Sequence, residues 1–159
     1  MDRGKFLFDM LKPHLNDNDV ILDYCCGVSQ IAKYLTGYKY IGFDYDPDVI
    51  MKMINFNVEQ RDAADIDYNA DVLMFFRSSF TPNTTRILKQ NIEKIKPRII
   101  FMDSCLRKRY IDNTTWYEND ECGLTEEYTR LNIFLFKSGY TILDKHSDGR
   151  YYYQIFGTK

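Results

Sequence analysis

The stretch VILDYCCGVSQ, residues 20–30, decides the fold. Val20-Ile21-Leu22 is an apolar run too short for a helix of its own and suited to a buried strand. An acid, Asp23, closes the run. A tight turn follows in which Cys25, Cys26, Gly27 and Ser29 are all small. Ser29 is placed to cap a short helix with Ile31 and Leu35 on one face and Gly37 at its end. Strand, tight turn and helix are the opening of a βαβ unit.

The same alternation continues on both sides. Residues from about Phe6 to Leu15 form an amphipathic helix, with Phe6, Leu7, Met10 and Leu11 inward. YKYIGFD is a second strand ending at Asp44. Asp46 and Pro47 then supply a helix cap and a first-turn proline, and the helix runs to about Phe56. A third strand lies near Val58 and a fourth over Asp71–Phe76. Residues Thr84–Lys96 carry Leu88, Ile92 and Ile95 at helical spacing, closed by Pro97, before a fifth strand at Arg98–Met102. After a polar loop, Thr125 caps a helix with Glu126 and Glu127 in its first turn and Gly139 at its end. YTILDKH and RYYYQIF finish the chain, joined by an Asp148-Gly149 hairpin turn. The pattern predicts an α/β doubly wound fold: a mostly parallel seven-stranded sheet with helices on both faces and a C-terminal antiparallel hairpin. No repeat, low-complexity tract or Pro/Gly-rich linker divides the chain, so residues 1–159 read as one domain.

Composition narrows the function. Of 159 residues, 45% are hydrophobic and 16% aromatic, which excludes a disordered chain. Lys plus Arg number 21 against 23 acids, a net charge of −2, so no general nucleic-acid electrostatics is expected, while a local patch stays open. No apolar run approaches the roughly 20 residues that span a bilayer. MDRGKFLFDMLKPHL has no signal-peptide pattern. Cys25, Cys26, Cys105 and Cys122 form no CxxC, and the two histidines, His14 and His146, lie far from them in sequence. No metal site is expected, and reduced thiols in a cytoplasmic protein are. Cys25 and Cys26 read as small packing residues rather than as a redox pair, since no histidine base is near in sequence.

In doubly wound sheets, ligands sit beyond the carboxyl ends of the strands, where strand order reverses. The turn after the first strand occupies that place. Small residues there let backbone N–H groups approach a ligand. Asp44 ends the second strand 21 residues beyond Asp23, where a carboxylate can accept from both ribose hydroxyls of an adenosine-containing cofactor. The dinucleotide pattern GxGxxG would need glycine at positions 25, 27 and 30. The chain has Cys25, Gly27 and Gln30, which argues against a nicotinamide-dependent oxidoreductase.

These features resemble the class I S-adenosylmethionine-dependent methyltransferases. Their first motif, D-x-G-x-G-x-G, aligns with Asp23-Tyr24-Cys25-Cys26-Gly27-Val28-Ser29, keeping the middle glycine. Their second-strand acid matches Asp44 in GFDYDP, and an Asp-Ala after the third strand matches Asp62-Ala63. NADVLMFF resembles the fourth strand, and SGYTILDKHSDGRYYYQIF the last helix end and hairpin. The resemblance implies S-adenosylmethionine as cofactor, contacted by Asp23, Tyr24, Cys25, Gly27, Asp44, Tyr45, Asp62 and Ala63. It implies a methyl acceptor near the ends of the fourth and fifth strands, where Arg77, Asp103, Arg107 and Tyr110 stand. Asp103 reads as a base, an orienter or a turn cap. Arg107-Lys108-Arg109-Tyr110, with Trp116-Tyr117, reads as a phosphate or base grip, or as a solvated loop balanced by Glu118, Asp120 and Glu121.

No residue set identifies the acceptor. The Asn/Asp-Pro-Pro-aromatic signature of certain nitrogen methylation is absent after the fourth strand, and the ribose-methylation set is not evident. With almost no insertions, the chain fits a small exposed acceptor, a protein partner that completes the site, or a macromolecule, nucleic acid included, lying across an open face. A non-catalytic partner or regulatory module of the same fold is the alternative function.

Overall fold

Strands form where the apolar runs fall. The computed structural model describes residues 1–76, 82–104, 109–111, 114–116, 119–147 and 151–158. β1 (Val20–Tyr24), β2 (Lys39–Asp44), β3 (Val58–Gln60), β4 (Val72–Phe75) and β5 (Ile99–Ser104) run parallel in the spatial order β3-β2-β1-β4-β5. β9 (Tyr152–Thr158) pairs antiparallel with β5, and β8 (Tyr140–Ser147) closes the edge beside it. The doubly wound, seven-stranded sheet with its terminal hairpin is therefore as the periodicity predicts. Strand order reverses between β1 and β4, so a crevice opens at the carboxyl end of β1.

Alternation along β1 sends Leu22 and Tyr24 to one face and Ile21 to the other. The first face packs against α3 (Pro82–Ile95) and α4 (Asn119–Lys137) through Leu88, Ile92, Leu131 and Leu135. The second packs against α1 (Arg3–Leu11) through Leu7 and Leu11, and against Ile31 and Leu35 of the segment after the turn. α2 (Pro47–Lys52) is capped by Asp46 as expected, its side chain accepting from the Asp48 N–H.

Several local expectations are corrected. The segment after the turn forms only a 3₁₀ turn, Ala32–Tyr34, with Ile31 rather than Ser29 at its cap position, and the Ser29 hydroxyl donates to Asp23 instead. α1 gives way to a 3₁₀ turn at Lys12–His14, with Pro13 in its first positions. α2 stops at Lys52 rather than near Phe56. α4 starts at Asn119, so Thr125 lies inside the helix instead of capping it. The stretch expected as a polar loop holds a two-stranded pair, β6 (Arg109–Ile111) with β7 (Thr114–Trp116). β5 runs on to Ser104 and takes Asp103 into the sheet opposite Tyr153. The Asp148-Gly149 turn lies outside the described residues.

Candidate functional site

At the end of β1 the backbone turns through two left-handed residues, Cys25 (φ +49°) and Gly27 (φ +52°). Cys25 thus holds the conformation that glycine takes without cost. The turn is tied to β2 at two points. The Cys26 N–H donates to the Phe43 carbonyl at 2.9 Å, and the Gly27 N–H donates to Asp44 Oδ2 at 2.9 Å. Asp44 Oδ1 accepts from the Asp46 N–H at 3.0 Å. Each oxygen of this buried carboxylate keeps a further lone pair, so two hydroxyls of a ligand can still be accepted. A Cβ added at Gly27 would meet nothing within 4 Å. Gly27→Ala is therefore expected to cost about 1–2 kcal/mol from backbone strain alone. Urea denaturation checks this, and an unchanged midpoint would remove the strain argument.

Asp23 shares the Ile21 face of β1, away from Leu22 and Tyr24, and is 2% exposed. Its Oδ2 accepts from the Ser29 hydroxyl at 2.7 Å and from the Tyr40 hydroxyl at 2.8 Å. No described residue donates to Oδ1. Burial pushes this carboxyl up to about 6; the hydrogen bonds from Ser29 and Tyr40 oppose the shift, and the Asp44 charge adds to it.

Two cavities meet at the turn, and Cys25 lines both. The first, of about 170 Å³, has Tyr24, Phe43, Phe75 and Leu88 among its buried walls and Asp44, Tyr45, Asp62 and Ala63 around it. This is room for a flat ring system between apolar walls. Asp62 caps the 3₁₀ turn Ala63–Asp65, accepting from the Ala64 N–H at 2.9 Å, and the Arg61 N–H donates to the Asp44 carbonyl. Tyr45 is 77% exposed at the rim. The Tyr24 hydroxyl is buried with no partner among the described residues, and burial pushes its phenol up, so it stays protonated. The second cavity, of about 440 Å³, is lined by Asp23, Gly27, Ser29, Gln30, Phe76 and Arg3. That volume lies within the range of small-molecule sites.

The two cavities thus gather all eight residues expected around a cofactor. The four expected near an acceptor are not so gathered. Asp103 is buried and ion-paired with Arg3 at 2.7 Å. Arg77 and Arg107 lie outside the described residues, as does the side chain of Tyr110. Burial pushes the Cys26 thiol up, away from nucleophile chemistry, in keeping with a packing role. No group of three or more His, Cys, Asp or Glu among the described residues could hold a metal ion. Sequence reasoning missed Tyr40 and Arg3. Tyr40 alternates with Gly42 and Asp44 along β2 and could have been found by that period; Arg3 carries no local signal.

No protein-family model and no curated protein matches the chain. Solved structures do. The PH0226 protein from Pyrococcus horikoshii OT3 superimposes with a TM-score of 0.74 at 16% identity, over 99% of this chain and 90% of that one. Magnesium protoporphyrin IX methyltransferase (ChlM) from Synechocystis PCC 6803, solved with bound S-adenosylmethionine, gives 0.70 at 11% identity, over 99% and 80%. An S-adenosylmethionine-dependent methyltransferase from Clostridium acetobutylicum ATCC 824 gives 0.62 at 12% identity, over 98% and 90%. At these identities the likeness is one of fold: the chain has the class I methyltransferase fold.

Proposed function

We propose that this protein is an S-adenosylmethionine-dependent methyltransferase whose cofactor spans the two cavities across the Cys25–Gly27 turn. The observation that carries this reading is the placing of two buried carboxylates on either side of one left-handed turn. Asp44 faces the slot suited to an adenosine, and Asp23 faces the larger cavity with an oxygen that no described residue satisfies. A carboxylate kept at a desolvation cost beside a cavity favours a cationic ligand. The bound neighbour in Synechocystis ChlM supports the same cofactor.

The residues present fit the group. Phe43, Phe75 and Leu88 wall the base, Asp44 accepts from the ribose hydroxyls, and Asp23 faces the positive end. The cofactor, when bound, supplies an electrophilic methyl on a sulfonium. The chain contributes binding, orientation and exclusion of water, which suffice for an in-line displacement by a neutral amine. A hydroxyl or thiol acceptor would need a base, which no described residue in either cavity supplies without leaving the cofactor contacts named above. The acceptor is therefore best sought among amines, free or presented by a partner.

Calorimetric titration with S-adenosylmethionine, S-adenosylhomocysteine and NADH in parallel tests the reading: the first two bind and NADH does not. Binding of none, or of NADH alone, overturns it. Asp44→Ala is expected to weaken S-adenosylmethionine binding by about 1.5–3 kcal/mol, the worth of charge-assisted hydrogen bonds. Unchanged affinity in the same titration would remove Asp44 from the site.

A further inference from the structure

The larger cavity holds charges of both signs. Arg3 opens α1, whose first turn is pressed onto the segment after the motif turn. Gly4 lies against the Gln30 backbone carbonyl so closely that any side chain there would collide with it. This contact brings Arg3 to the cavity lined by Asp23. The guanidinium is held in a fixed plane. Its Nη2 donates to Asp103 at 2.7 Å and its Nε to the Tyr153 hydroxyl at 3.5 Å, and it lies 5.4 and 5.9 Å from the ring centroids of Tyr151 and Tyr153. The side chain is only 16% exposed, yet no described residue accepts from Nη1. Among the described residues, then, nothing accepts from Arg3 Nη1 and nothing donates to Asp23 Oδ1, and both side chains line this cavity.

We propose that Arg3 binds the carboxylate of an α-amino-acid zwitterion whose ammonium faces Asp23, and so reads the amino-acid end of the cofactor from outside the motif turn. The inference rests on the cofactor reading above and adds a residue to it. Asp103 is then a strut: it aims the guanidinium from β5. The charges balance as well. Arg3, Asp103 and Asp23 together carry one net negative charge, and S-adenosylmethionine, with its ammonium, carboxylate and sulfonium, carries one net positive charge.

The test compares S-adenosylhomocysteine with its decarboxylated analogue, which keeps the amine and loses the carboxylate. Titrations use the wild type, Arg3→Lys, and the double variant Arg3→Met with Asp103→Leu, in which no buried charge is stranded. The wild type is expected to prefer S-adenosylhomocysteine by about tenfold to a hundredfold. The double variant should bind both ligands with the affinity that the wild type has for the analogue. Arg3→Lys should retain part of the preference. Equal affinity of the wild type for the two ligands, or an undiminished preference in the double variant, overturns the role of Arg3 while leaving the cofactor reading intact. Failure of the wild type to bind either ligand overturns both.

Discussion

Arg3→Ala is expected to lower folding stability by about 3–5 kcal/mol, the loss that follows when one partner of a buried ion pair is removed. The Asp103 side chain is wholly buried, and its carboxylate lies 2.7 Å from the Arg3 guanidinium. Without that cation the carboxylate stays desolvated inside the sheet, where β5 pairs with β9. The guanidinium also covers the rings of Tyr151 and Tyr153, so packing is lost with the charge. Asp103→Asn should cost less, because a guanidinium with some exposure can find water. Replacing both residues by apolar ones of similar size should recover most of the loss. Urea denaturation of the three variants checks the ordering. An Arg3→Ala loss under about 1 kcal/mol would show the pair to be solvated like a surface bridge.

The ordering matters for the site, because this pair fastens the first turn of α1 over the larger cavity. It also marks the limit of what sequence could show. The apolar run at Val20, the acid closing each of the first two strands, and the Asp46-Pro47 start are local signals, and each places its element correctly. The two carboxylates beside the turn follow from the same logic, since strand ends fix where Asp23 and Asp44 emerge. Other features depend on side-chain partners and backbone geometry that residue type alone does not reveal. Ser29 has the chemistry of a cap, yet the helix expected after it is a single 3₁₀ turn that begins beyond Ile31, and its hydroxyl donates to the buried Asp23. Asp103 ends an apolar strand and so reads as a base or a cap; its partner lies 100 residues away at the start of the chain. Cys25 departs from the glycine motif in identity, yet its backbone adopts a positive φ, the conformation that glycine takes without cost.

Asp23→Asn is expected to make the protein more stable and its cofactor binding weaker. Both hydroxyl donors, from Ser29 and Tyr40, point at the same oxygen, so an asparagine carbonyl in that place keeps both hydrogen bonds. What the substitution removes is the buried charge. The native carboxyl titrates at about 6, well above its unfolded value of 3.8, because burial disfavours the anion. The stability contributed by the proton on Asp23 is fully present below about pH 4 and is lost as pH rises through about 6. From the size of the shift, that loss amounts to about 3 kcal/mol. Asparagine does not titrate, so the two proteins should have similar stability near pH 4. The variant should lead by up to about 3 kcal/mol above pH 7. Paired denaturation curves at the two pH values test this, and a difference that does not change with pH would show that the native carboxyl is not raised. Above pH 7 the same variant should bind S-adenosylmethionine more weakly, since its cavity no longer carries the negative charge that faces the ammonium. A gain in stability together with a loss of affinity would mean that the fold bears the cost of the buried charge for the sake of its ligand. A gain in stability with unchanged affinity would take Asp23 out of cofactor recognition and leave the turn to Asp44 alone.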